Sequence, residues 1–153
     1  MNKINVNISA PNLAAVCIDR CDGECYIGRL LHKYHAGPIK FHNLDYLLLQ
    51  IDKLCDTSGY PQSTTINRAF VENKENTSGK GALQVADFEQ ILDQKGGLAT
   101  FVVHVKYRQH STWQGEIVWA EKNKKRTFRS ALELLKLIDG ALEDELNADI
   151  QND

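Results

Sequence analysis

The stretch Phe101–Leu142, FVVHVKYRQHSTWQGEIVWAEKNKKRTFRSALELLKLIDGAL, changes its hydrophobic period from two to nearly four, and the change decides the fold class. Val103, Val105 and Tyr107 alternate with His104, Lys106 and Arg108. Beyond a polar break, Trp113, Gly115, Ile117 and Trp119 alternate with Gln114, Glu116 and Val118. Alternation of this kind belongs to strands with one face toward a core. Lys122–Lys125 reads as a charged turn, and Thr127 with Phe128 as a third short strand. Ser130 with Glu133 three residues later forms a capping box, in which each partner satisfies an amide left over at a helix start. Ala131, Leu134, Leu135, Ile138, Ala141 and Leu142 then recur on one helix face. The stretch predicts a three-stranded antiparallel sheet with a helix on its aromatic face, Trp113 and Leu135 buried, and Lys106 and Gln114 exposed.

A second copy of this unit precedes it. Shifting residues 26–56 by 87 lays them on 113–143 without a gap. Gly28, Phe41, Leu47, Leu48, Ile51 and Asp52 then meet Gly115, Phe128, Leu134, Leu135, Ile138 and Asp139. The identities fall at a strand glycine, the last strand aromatic and the buried helix stripe, and Asn43, a good helix cap, meets Ser130. The expected architecture is α+β, two repeated β-β-β-α modules, each a three-stranded antiparallel sheet backed by a helix. Residues 1–56 hold the first module with an N-terminal strand over Ile4, Val6 and Ile8, and 57–100 a connector with a short helix between Ala86 and Gln94. Residues 101–143 hold the second module, and 144–153 an acidic tail. The connector's apolar residues, Tyr60, Pro61, Ile66 and Phe70, are expected to lie over the first module. Leu132 and Leu137 widen the second helix's apolar stripe, which predicts a contact with the first helix or, as the alternative, a homodimer.

The chain has 153 residues, 42% hydrophobic and 25% charged, values typical of soluble globular domains. It shows no apolar run of membrane-spanning length and no charged-then-apolar leader, so no membrane partner and a cytoplasmic location are expected. The net charge of −2 is unevenly spread. Lys and Arg concentrate between Phe101 and Arg129, whereas Asp139 to Asp153 carries acids and no base.

The four cysteines raise the question of a metal. A tight Asp22-Gly23 turn brings Cys25 close to Cys21, and Cys17 and Cys21 are expected to face outward with Asp19 if Val16 and Ile18 face the core. Cys17 is too far along its strand to join Cys21 in one tetrahedral site, and no C-x-x-C pair is present. Reduced structural cysteines and no cofactor are the reading, with a zinc held by Cys21, Cys25 and a nearby histidine as the alternative. His32, His35, His42, His104 and His110 form no recognisable constellation with a nucleophile and a carboxylate, so an enzyme is not expected.

The outward face of the second unit supplies the candidate binding surface: Lys106, Arg108 and Gln114 on the sheet, with Lys122, Lys124, Lys125 and Arg126 at its rim. Such a face suits a phosphate backbone, with Arg and Gln reaching base edges. Over Trp113–Leu142 the layout, a tryptophan leading into a glycine-bearing second strand with a helix behind, resembles the plant ethylene-response-factor type of DNA-binding domain; the resemblance implies duplex DNA as the ligand. Lys106 and Arg108 stand where that family has an arginine-rich first strand, and Glu116 interrupts the surface. The phrases WQGEIVWAE and FRSALELLKLIDGAL also resemble small uncharacterised bacterial proteins, which implies no activity. In style, two modules with separate basic and acidic surfaces resemble inhibitors that mobile elements direct at host defence nucleases. The expectation is a non-enzymatic interaction protein that occupies a surface on a protein partner. Its most concrete form is an inhibitor of a nucleic-acid-handling protein, anti-CRISPR proteins included; the alternative is a DNA-binding regulatory protein.

Overall fold

These patterns take shape in a computed structural model that describes residues 10–61, 70, 88–108 and 112–151. Its elements in chain order are β1 (Ala14–Asp22), β2 (Cys25–Leu31), β3 (Ile39–Phe41), α1 (Leu44–Ser58), α2 (Phe88–Leu92), β4 (Ala99–Tyr107), β5 (Gln114–Trp119), β6 (Lys124–Phe128) and α3 (Ala131–Gln151). The fold is α+β. Its strands form one antiparallel sheet in the order β3-β2-β1-β4-β5-β6, where two separate three-stranded sheets were expected. The expected strand over Ile4, Val6 and Ile8 and the anchor Ile66 lie outside the described residues.

One pairing joins the two halves. β1 runs antiparallel to β4, with Ala15 opposite Val102, Val16 opposite Phe101 and Ile18 opposite Ala99. Both strands are therefore interior to the sheet, and Ala14 to Ile18 are almost completely buried. A strand in that position needs apolar side chains on both faces, which is why LAAVCI is continuous where an edge strand would alternate.

Each half contains a β-bulge, between Ile18 and Arg20 in β1 and between Val105 and Tyr107 in β4. One extra residue on the bulged strand turns every later side chain to the opposite face. Each half also seats a phenylalanine on a glycine. Gly28 pairs with Phe41 and Gly115 with Phe128. A Cβ at Gly28 would strike the Cys17 carbonyl oxygen and come within 2.8 Å of the Phe41 ring. At Gly115 it would strike the His104 carbonyl oxygen and approach the Phe128 ring to 2.9 Å. Only glycine fits beneath either ring.

The helices start where their caps are. Asn43 Oδ1 accepts from the Tyr46 amide at 2.8 Å, and Ser130 Oγ from the Glu133 amide at 3.0 Å. Glu133 reaches back one residue further than a capping box requires, to the Arg129 amide at 3.2 Å. Both long helices pack on one face of the sheet. Leu47, Ile51 and Leu54 of α1 and Leu134, Ile138 and Leu142 of α3 share a core with Val16, Leu30, Phe41, Phe101, Ile117 and Phe128. Leu137 packs at the margin of this core and Leu132 is exposed. α3 continues to Gln151, so Asp144 and Glu145, placed in an acidic tail over 144–153, lie on the helix.

The opposite face carries a smaller core of Ala10, Leu13, Ala15, Cys17, Leu31, Val102 and Val118, closed by Ile91 and Leu92 of α2. The connector's short helix thus covers the far side of the sheet. Pro61 is buried, while Tyr60 remains exposed.

The expected burial of Leu135 requires correction. It and Trp113 are only half-buried, whereas Leu134 is fully buried. Leu134, Ile138 and Leu142 recur every four residues, and that row points at the sheet; Leu135 sits about 100° further round the helix. Leu134→Ala should accordingly cost about 2–5 kcal/mol, and Leu135→Ala about 1 kcal/mol, measured by urea unfolding. Equal losses would mean that α3 is rotated from this placement.

Candidate functional site

The residues expected to form one basic face are distributed over three environments. The bulge in β4 and the alternation along β6 are the reasons. Lys106 and Gln114 lie on the sheet face away from the helices, with Lys106 exposed and Gln114 half-buried. Glu116 sits between Lys106 and Lys125, with Nζ to carboxylate distances of 2.8 and 3.0 Å. Burial by itself would raise the Glu116 carboxyl, but the bonds from Lys106 and Lys125 outweigh it and hold the group below the usual carboxylate range. His104 on the same face is half-buried, and burial, then Lys106, lowers its pKa. Two ammonium groups closed onto one carboxylate make a weakly charged surface.

Arg108 corrects the expectation most sharply. Past the bulge it turns to the helix side, where it is 7% exposed. Its Nε donates to the Pro61 carbonyl at 2.7 Å, and Nη1 lies 3.2 Å from Asp52 and 2.9 Å from Asp56 of α1. This guanidinium fastens the second half's strand to the first half's helix and offers nothing to a ligand. A reciprocal tie runs the other way, from the Tyr26 hydroxyl of β2 to Asp139 of α3 at 3.1 Å. Burial and that bond push the Tyr26 phenol up to about 12.

The same phase slip in β1 divides the cysteines. Cys17 points to the smaller core, and burial raises its thiol to about 11. Cys21, past the bulge, packs at the margin of the helix-side core and pairs with Tyr26. Cys25 pairs with Asp22 and is exposed. Paired residues share a sheet face and adjacent residues do not, so Cys21 and Cys25 point to opposite faces of their hairpin. The expectation that Cys17 and Cys21 face outward together is likewise corrected. Cys55 is buried on α1, its thiol pushed up to about 12 by burial. Among the described residues no group of three or more His, Cys, Asp or Glu is placed to hold a metal ion. No helix among them is long and apolar enough to cross a membrane.

The remaining cations meet on the helix side. Phe128 faces that core, so Lys124 and Arg126, at even spacing on β6, share its face. They border a cleft of about 400 Å³ between the β5–β6 hairpin and α3. Phe101, Ile117, Leu137 and Ala141 supply apolar walls, and Lys136, Gly140 and Asp144 of α3 complete the lining. Trp119 also lines it. Its indole Nε1 is buried with no hydrogen-bond partner among the described residues, and Lys122 Nζ stands 5.7 Å from its ring. Lys122 is itself paired with Glu145 at 3.3 Å. Lys124, Arg126 and Lys136 form no ion pair among the described residues; Arg126 donates to the Lys125 carbonyl at 2.9 Å. Sequence reasoning found Lys124 and Arg126 but missed Lys136. The available signal was Gly140, a glycine inside an otherwise strong helical pattern.

Among the histidines, His35 and His42 are exposed and His110 lies outside the described residues. His32 is buried, and its Nδ1 accepts from the Tyr34 amide at 3.1 Å, which fixes the neutral ring with its proton on Nε2. Burial, then the neighbouring His35, lowers its pKa to about 4.

Two measurements test these placements. Arg108→Ala should lower stability by about 2 kcal/mol or more, because it leaves a buried carbonyl and two carboxylates without their cation. Lys106→Ala should cost less than about 1 kcal/mol, as an exposed ion pair does. The pH dependence of unfolding tests His32. The unfolded ring takes its proton near ~6.5 and the folded ring near about 4. Between those values only the unfolded chain is protonated, so stability is fully present above the upper value and declines as pH falls toward the lower. The contribution is about 3 kcal/mol. His32→Asn should remove that part of the slope, and an unchanged slope would refute it.

Comparison of the chain with protein-family models, with curated proteins and with solved structures gave no match in any of the three.

Proposed function

We propose that the protein is a non-enzymatic interaction protein that binds a protein partner through the cleft between β6 and α3. The observation that carries this reading is a cleft with apolar walls bordered by Lys124, Arg126 and Lys136, cations that have no ion-pair partner among the described residues and that outnumber the one carboxylate of the lining, Asp144. An apolar floor with a few convergent charges is the usual form of a recognition site. Several other charges are paired: Arg29 to Asp19, Arg108 to Asp52 and Asp56, Lys106 and Lys125 to Glu116. Duplex DNA on the outer sheet face would have to compete with Glu116 for its phosphate contacts, which favours a protein partner over nucleic acid. An inhibitor of a nucleic-acid-handling protein remains the most concrete version, and such proteins are the partners to test first.

We infer also that the chain contains two copies of a β-β-β-α unit. The support is that the bulges, the Gly28–Phe41 and Gly115–Phe128 pairs and the helix caps recur at the 87-residue offset. Ala15 and Val102, equivalent under the same offset, face each other across the centre of the sheet. The positions matching Lys124, Arg126 and Lys136 in the first copy are Gly37, Ile39 and Leu49. The cationic cleft is therefore a property of the second copy alone, which is expected where one copy carries binding and the other carries the scaffold.

Purification from the native host with nuclease treatment tests the reading. A partner should survive nuclease and be lost from a Lys124→Glu, Arg126→Glu, Lys136→Glu variant that still unfolds cooperatively. A partner released by nuclease would make this a nucleic-acid-binding protein instead.

A further inference from the structure

β6 is the outermost strand on its side of the sheet, and among the described residues nothing pairs with its outer edge. Such an edge is a template for another strand, and cationic side chains along it repel a second copy of the same edge while favouring a strand of opposite charge. Lys124 and Arg126 lean over the cleft from this edge, and Lys136 faces them from α3. Gly140 makes the space between them. Nothing lies within 4 Å of where its Cβ would sit, so crowding does not demand a glycine. Glycine disfavours a helix interior more than any residue except proline, and here its effect is to keep the cleft open. Trp119 adds, in the same wall, a buried indole N–H without a partner among the described residues.

We infer that β6 accepts an extended acidic segment of the protein partner as a seventh strand. Its carboxylates would meet Lys124, Arg126 and Lys136, and one apolar side chain would enter the cleft beside Leu137 and Gly140. The inference deepens the protein-partner reading and rests on it. The chemistry is that of strand addition: main-chain hydrogen bonds supply affinity, and alternate side chains, about 7 Å apart along one face, supply specificity. Two carboxylates at alternate positions match the spacing of Lys124 and Arg126 on β6. The opposite face of the added strand would lie beside Lys125 and Thr127 and carries no requirement for charge.

The probe is a short synthetic peptide with Glu, Glu and Leu at successive alternate positions and Thr between them, titrated into the full chain near 0.1 M salt. Binding should weaken roughly tenfold or more in the Lys124→Glu, Arg126→Glu variant. It should weaken as much when alternate peptide nitrogens are methylated, since methylation removes the donors that strand pairing uses. Gly140→Leu should fill the cleft and block binding while leaving the thermal midpoint equal or higher, because leucine is the better helix former. No binding, equal binding of the methylated peptide, equal binding of a Lys-for-Glu peptide, or preference for a duplex DNA oligonucleotide would each overturn strand addition. Self-association of the free chain that the peptide does not displace would overturn it in favour of a second copy. A partner captured from the host that is insensitive to Gly140→Leu would overturn this inference while leaving the interaction reading intact. Absence of any nuclease-resistant partner would fail that reading itself.

Discussion

The pairing of β1 with β4 is the constraint on which the rest of the molecule depends. It places the two most apolar strands at the centre of the sheet, where Ala14–Ile18 and Ala99–Val103 are covered on both faces. Without it each half would end in an unpaired apolar edge, a template for aggregation, and a three-stranded sheet would have to bury both its faces alone. Small side chains make the junction close. Ala14, Ala15 and Ala99 leave room for Phe101 and the helix residues above them and for α2 below.

The two bulges follow from the same junction. Beyond Ile18 and Val105 the strands leave the central pairing, and an inserted residue turns the chain so that the next side chains approach the helix layer. Arg108 uses that turn to reach Asp52 and Asp56, and Tyr26, opposite Cys21, reaches Asp139. Each helix is thereby tied to a strand of the other half. Asp52 keeps a raised carboxyl pKa despite its cation, because burial and the neighbouring Asp56 act against Arg108. The arrangement is a fastening that joins halves, and its residues are spent on it.

The proposed binding cleft lies at the far end of the sheet. Among the described residues β6 pairs only through one side, and Lys124 and Arg126 border the cleft against α3. The same side chains satisfy two demands. They discourage uncontrolled edge pairing, and on the proposed reading they give the cleft the charge that selects its partner.

Local patterns in the chain determined most of the strands, both helix caps and most of the buried rows of α1 and α3. All of these depend on contacts a few residues apart, for which periodicity and capping chemistry are direct reports. The Gly28–Phe41 and Gly115–Phe128 pairs were visible as punctuation for the same reason. But Lys124 and Lys125, read as part of a turn, belong to β6, and the first hairpin turns at Gly23-Glu24 with Asp22 paired to Cys25. Only the tertiary structure decided that six strands share one sheet, that Arg108 is buried, that Cys21 and Cys25 point apart, and that Lys136 joins Lys124 and Arg126 across a cleft. The causes lie in pairing and packing between distant segments: the hairpin register sets Cys21 and Cys25 apart, and a bulge turns Arg108 inward. A bulge is a property of how two strands pair and has no signature in the alternation of either, yet one inserted residue reverses the face of everything beyond it. A cleft between a strand and a helix likewise depends on where the helix lies over the sheet, and that is settled by the burial of Leu134, Ile138 and Leu142, far from the charges it brings together.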